Sequence, residues 1–276
     1  MYVLTCGLLL LGICRRITSD AREDVLLSDC AFEKHCPTEN LTTFKATNFR
    51  NRSSLSSDDN SVEKRVAYVV SMNTATPRFL QTKKVLSEFG FEVSAVTPYY
   101  FGRTREKQTL SNKIALLTAA TLISRGEEPW GYIFEDDIYK HESSRDDLSA
   151  VIESEKASNL FQYLGVCTEG EARNKPVRNM CGRCAHAMGI SKQGALELLE
   201  FANLQEPKLE VGQKNAPGDE LYLDVIVQGW CEAQPPGFRV VGPLKNSVKG
   251  DVGHYGIFLQ DRNSFESEID KAPGAL

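Results

Sequence analysis

The 276-residue chain has no apolar stretch long enough to cross a bilayer, which takes roughly 20 consecutive apolar residues. It has no basic surplus either. Its 32 Lys and Arg stand against 37 Asp and Glu, giving a net charge of −5. The signs are well mixed, which argues against a general nucleic-acid binder, since that needs a basic stripe. No internal repeat runs through the sequence. Nor does a second CxxC accompany Cys181-Gly182-Arg183-Cys184, as a four-cysteine zinc site would require. What remains is ordinary globular composition, 41% hydrophobic and 25% charged. A domain of about 200 residues buries a full core without a disulfide scaffold.

Residues 2–14 form a short apolar run, and Ser19 and Ala21 offer a small-residue cleavage pattern. Residues 1–21 therefore read as a secretory signal. No basic residue precedes the run and Arg15-Arg16 follow it, so a short signal anchor is the alternative. Membrane attachment is expected only if that anchor stays uncleaved. Residues 22–64 are polar and aperiodic, and read as a disordered stem. The stem carries two N-glycosylation sequons, at Asn40 and Asn51. Beyond the signal stand Cys30, Cys36, Cys167, Cys181, Cys184 and Cys231. In an oxidising lumen such an even set implies disulfides, though six cysteines allow fifteen pairings. The expected location is the endoplasmic reticulum or Golgi lumen, or outside the cell.

Folded signals begin at "RVAYVVSM", a β-branched and aromatic run typical of a buried strand. Thr76 then reads as an N-cap, Pro77 as the first helical residue and Gly90 as the residue that ends the helix. Phe79, Leu86 and Phe89 recur on the helix, and "FEVSAV" follows as a second strand. Strand, helix and strand in this spacing make a βαβ unit, and such units imply a parallel sheet. A second helix is predicted over 111–124, with Ile114, Leu117, Ala120 and Thr121 on one side. Further strands are expected at "WGYIF", "LFQYLGV" and "FRVVGPL". Two more helices are expected, at "SKQGALELLEFA" with Ser191 as cap and at "DELYLDVIVQG". The sum is one α/β domain over 65–260, a mostly parallel central sheet flanked by helices, with a tail at 261–276.

The strand "WGYIF" stops at three consecutive acids, Glu135, Asp136 and Asp137. In open α/β sheets ligands bind beyond the carboxyl ends of the strands, and the acids fall at such an end. If the chain stays extended, Glu135 and Asp137 share a face and Asp136 points the other way. An acid, a spacer and an acid suit a hard divalent cation that gains further ligands from phosphates. The bland reading is a solvated acidic turn.

The segments "RVAYVVSMNTATPRFLQTKKVLSEFGFEVSAVTP", "LSNKIALLTAATLI", "GYIFEDDI", "AHAMGISKQGALELLEF" and "PGDELYLDVI" follow one another in order. Over residues 66–227 this resembles glycosyltransferase family 25, the lipooligosaccharide and collagen galactosyltransferase group. The resemblance implies a GT-A, Rossmann-like fold. It also implies transfer of a sugar, such as galactose, from a nucleotide donor such as a UDP-sugar to a glycan or glycoprotein hydroxyl, with inversion. The acids would be the family's form of the DxD motif. Asp137 would then ligate Mn²⁺ or Mg²⁺, and Glu135 and Asp136 would hold the donor or a water of the metal. Arg78 matches an arginine that supports the donor site. Asp219 matches a late aspartate that could accept the acceptor's proton. The chain departs from the family where Ser111 is followed by Asn112, at a position where the family usually has histidine, and in the segment of about 170–184, "GEARNKPVRNMCGRC", which does not align with it.

Other residues carry two readings each. His254, in "GDVGHYGIF", is a loop histidine in a glycine-rich turn or a further metal ligand. Asp219 is a base or a helix N-cap. His186 reads as a core histidine rather than a ligand, and Cys167 with Cys231 or His186 could add a second zinc-ligand pair to Cys181 and Cys184 only by accident of folding. Trp130 and the loop "TPYYFG" could stack on a sugar or base, or simply belong to the core. Cys181 and Cys184 read as structural disulfide partners. The rivals to the transferase are a luminal sugar- or nucleotide-binding protein without turnover, and a thiol oxidoreductase using Cys181 and Cys184.

Overall fold

The structure, a computed structural model, describes residues 65–98, 104–144, 148–158, 160–169, 179–205, 223–234, 239–244 and 252–260. All of them fall in one compact unit, 59–276. The signal, the stem with Asn40, Asn51, Cys30 and Cys36, the 99–103 loop, Asp219 and the tail lie outside the described residues.

The described elements begin with β1 (Arg65–Val70), α1 (Pro77–Phe89), β2 (Phe91–Val96), α2 (Arg105–Arg125), β3 (Trp130–Glu135), β4 (Ile138–Lys140) and α3 (Ser149–Ala157). After them come β5 (Phe161–Glu169), β6 (Arg183–Ser191), α4 (Lys192–Gln205), α5 (Leu223–Ala233), β7 (Arg239–Val240), β8 (Val252–Gly256) and β9 (Phe258–Gln260). The main sheet runs β2-β1-β3-β6-β5-β7, with β8 also paired to β5. β1 pairs in parallel with both β2 and β3, and β5 in parallel with β7. β6 is antiparallel to β3 and β5, and β8 is antiparallel to β5. Strands β1, β2, β3, β5 and β7 thus point one way and only β6 and β8 the other. The domain is α/β with a mostly parallel sheet, as the sequence predicts.

Helix α1 shows how local chemistry fixes an element. Thr76 is its N-cap, and the Thr76 hydroxyl accepts the Phe79 N–H at 3.2 Å. Pro77 occupies the first turn, where no N–H is needed. Gly90, with φ of 105°, takes the left-handed position that stops the helix. Phe79, Leu86 and Phe89 are buried.

Both faces of the sheet are covered, so alternate residues of one strand enter different cores. Tyr68, Val70 and Ile133 pack with Leu116, Ala119, Leu198 and Trp230 beneath α2, α4 and α5. Ala67, Val69, Tyr132 and Phe134 pack with Phe79, Leu86, Val151 and Phe258 beneath α1, α3 and β9. A buried ion pair joins the first strand to α3, with Arg65 Nη2 2.8 Å from Glu155 Oε2 and the Tyr132 hydroxyl donating to the same carboxylate. Burial and that carboxylate raise the Tyr132 phenol well above its ordinary pKa.

The structure departs from expectation in several elements. Helix α2 starts at Arg105 rather than Ser111. Its buried residues are Ala115, Leu116, Ala119, Ala120 and Ile123, while Ile114, Leu117 and Thr121 are half-buried. Alanines supply that face because α2 lies between the sheet and α4. "FRVVGPL" yields only the two-residue β7. Elements β4, α3, β6, β8 and β9 were not foreseen. Ser191 does cap α4, its hydroxyl accepting the Gly194 N–H at 3.0 Å. No helix among the described residues is long and apolar enough to cross a membrane.

Candidate functional site

Strand β3 is buried along its length and sits at the middle of the sheet, between β1 and β6. It ends at Glu135, and the chain reverses through Asp136 and Asp137 into β4. The alternation expected of an extended chain therefore fails at the acids, because the last two occupy a turn. Asp136 and Asp137 both face Arg78, and Glu135 goes elsewhere.

Arg78 is the second residue of α1, which begins beyond the carboxyl end of β1. Its Nε lies 2.6 Å from Asp136 Oδ1 and its Nη2 lies 3.1 Å from Asp137 Oδ2. One planar guanidinium so bridges two neighbouring carboxylates, a geometry its rigid fork suits. Ser71, just past β1, donates its hydroxyl to Asp136 Oδ2 at 2.5 Å. Gln260, at the end of β9, donates its side-chain N–H to Glu135 Oε2 at 2.5 Å. The acids' first positive partner is thus an arginine of the same chain.

Asp136 and Asp137 share one guanidinium, and Glu135 is held by Gln260. Clustered carboxylate oxygens are donors that fit a hard divalent cation. The two aspartates differ in accessibility. Asp137 is only 1% exposed beneath Arg78, whereas the Asp136 side chain, at 15%, is the carboxylate at the surface of the cluster. Two surface cavities, of about 470 and 820 Å³, have no acid of this turn in their lining.

The remaining predicted residues separate. Cys167 is bonded to Cys184, and Cys181 to Cys231. Cys181 and Cys184 therefore bond to different partners and do not form the CxxC disulfide that a thiol oxidoreductase turns over. His254 lies on β8 opposite Cys167, its Nδ1 3.7 Å from Cys167 Sγ, and 6.2 Å ring to ring from His186. His186 is fully buried, as expected of a core histidine. Trp130 is core, only 7% exposed. Asp219 and the "TPYYFG" aromatics at 99–101 lie outside the described residues.

Ser71 and Gln260 are site residues that the sequence reading missed. Ser71 had a faint signal, a hydroxyl near the end of the predicted strand run "RVAYVVSM". Gln260 had none, because β9 is three residues long and reaches Glu135 from 125 residues away.

No protein-family model matches the chain, and no curated protein matches it in sequence. Among solved structures it is similar to a glycosyltransferase involved in the glycosylation of the major capsid of PBCV-1. That likeness has 13% identity and a TM-score of 0.46, and covers 75% of this chain and 96% of the other. It is also similar to the apo form of the glycosyltransferase GlyE of Streptococcus pneumoniae TIGR4. There the identity is 10% and the TM-score 0.34, over 57% of this chain and 41% of that one. Likeness at this level says nothing of donor, acceptor or mechanism in this chain.

Proposed function

We propose that the chain is a glycosyltransferase of the secretory pathway that takes its sugar from a nucleoside diphosphate donor at the Glu135–Asp137 turn. One observation carries this reading: Arg78 clamps Asp136 and Asp137 beyond the carboxyl ends of β1 and β3, where the sequence resemblance expects the donor. Two disulfides fit an oxidising compartment.

Asp136, with Glu135 beside it, would hold Mn²⁺ or Mg²⁺. The ion would supply Lewis-acid stabilisation of the departing diphosphate. The rest is the work of the chain. Arg78 and Ser71 fix the Asp136 carboxylate, so little reorganisation is needed as charge develops. Gln260 fixes Glu135. Asp219 is the proposed base, taking the proton of the acceptor hydroxyl as it attacks the anomeric carbon with inversion. Water must be kept from that carbon, or the donor is hydrolysed.

Purified protein with Mn²⁺ and a panel of nucleotide sugars should release nucleotide from one donor class. Asp136→Asn should slow that release by about 10²-fold or more. If no donor releases nucleotide while one nucleotide still binds at the turn, the second reading holds, a binding protein without turnover. Asn112, where the family usually has histidine, favours that reading.

A further inference from the structure

Cys167, Cys184 and His186 meet at one place in the sheet, and His254 touches Cys167 from β8. Ligand atoms of Cys167, Cys184 and His186 all lie within 4.8 Å of one another. His254 Nδ1 approaches Cys167 Sγ to 3.7 Å. Three adjacent strands bring them together, since Cys167 on β5 is opposite Arg183 on β6 and opposite His254 on β8. Cys167 and His186 are buried and His254 is 8% exposed.

Three further features are those of a ligand site. His186 Nε2 lies 3.1 Å from the Phe258 carbonyl oxygen. A carbonyl can only accept, so the ring carries its proton on Nε2 and presents Nδ1 as its basic atom, an arrangement typical of metal-bound histidine. Gly165 makes the room for this, because a Cβ there would overlap both His186 Nε2 and the Phe258 carbonyl. Cys184, with φ of 64°, is the one non-glycine residue among those described that is held in the left-handed region. Such backbone persists where the surroundings impose it.

We propose that these four residues bind zinc in a closed tetrahedral Cys₂His₂ site once the Cys167–Cys184 bond is reduced. A dithiol reductant breaks the S–S bond, delivers two electrons and two protons, and becomes a disulfide itself. Zinc then replaces the two thiol protons, which pass to solvent, and two Zn–S bonds form. The site alternates between a disulfide that ties β5 to β6 and a metal centre that ties β8 to them as well. It borders the acidic turn: Phe258, which orients His186, stands two residues before Gln260, which holds Glu135.

The test uses the full chain, freed of metal and reduced anaerobically with a water-soluble phosphine. The phosphine becomes its oxide with the oxygen of one water, whose two protons go to the sulfurs. Zinc is then added, the protein desalted and its metal content measured, and cobalt is added to a second portion. The expected result is one zinc per chain only after reduction, and the visible absorption of tetrahedral thiolate-bound cobalt. Cys184→Ser and His254→Asn should each lose the metal. A Cys181→Ser, Cys231→Ser double variant, which lacks the other disulfide, should keep it. The proposal is overturned if protein with fully titrated thiols retains no zinc. It is equally overturned if His254→Asn and Cys184→Ser retain zinc undiminished, or if reduction unfolds the chain and zinc fails to refold it.

Discussion

Arg78 lies between two carboxylates, one of them only 1% exposed. Replacing it with methionine keeps much of the stem but withdraws the guanidinium from a buried charge. Arg78→Met should therefore destabilise the protein by about 3 kcal/mol in urea unfolding, with Arg78→Lys recovering only part. A loss below about 1 kcal/mol would show that the clamp is no more than a surface pair. Much of this site was legible in the sequence: the acids, their place at a strand end, and Arg78. The orientation of the acids was not, because alternation holds only while a strand continues, and β3 stops at Glu135. His141 gives a second prediction at this scale. Burial lowers its pKa below the ordinary 6.5, with the Glu142 charge opposing. Its Nδ1 accepts the Ser143 N–H at 3.1 Å, a bond that only the neutral ring can make. As pH falls through 6.5 the unfolded chain takes up this proton first. Stability is then full above 6.5 and is lost as pH falls through the lower folded value. Melting curves between about pH 7 and 5 should show this slope, and His141→Gln should flatten it.

Elements differ in how much of their own cause they carry. Helix α1 was legible end to end because cap, first-turn proline and terminal glycine are local features. Strand β6 was not, since "RCAHAMGIS" mixes polar and small residues and is held by pairing to β3 and β5. Among the described residues, strands β4 and β9 pair with each other alone. The start of α2 was hidden for another reason: Thr109, Ser111 and Lys113 are buried polar residues, so its first turns show no apolar stripe. Tertiary ties therefore matter most where local signals are weak. The Arg65–Glu155 pair is such a tie, with Arg65 4% exposed. Glu155→Ala removes the carboxylate paired with a buried guanidinium and should cost about 3 kcal/mol in urea unfolding, with Glu155→Gln costing less.

At the scale of the whole molecule, the carboxyl edge of the sheet gathers the chemistry. β1 and β3 deliver Ser71, Arg78 and the acids to one stretch of that edge. The ends of β5, β6 and β8 deliver the Cys167–Cys184 bond and two histidines close by. The fold class and this edge were foreseeable from the βαβ pattern, but the disulfide pairing was not, because six cysteines leave fifteen possibilities. The most direct test of the acidic turn as a donor site is the melting temperature of the intact protein against a panel of nucleotides. It is read with and without Mn²⁺, beside Asp136→Asn. A ligand of the native state at 100 times its dissociation constant adds about 2.7 kcal/mol of stability. The expected result is a rise of several degrees with one nucleoside diphosphate, dependent on Mn²⁺ and lost in the variant. No rise with any nucleotide, or an equal rise in Asp136→Asn, would contradict it.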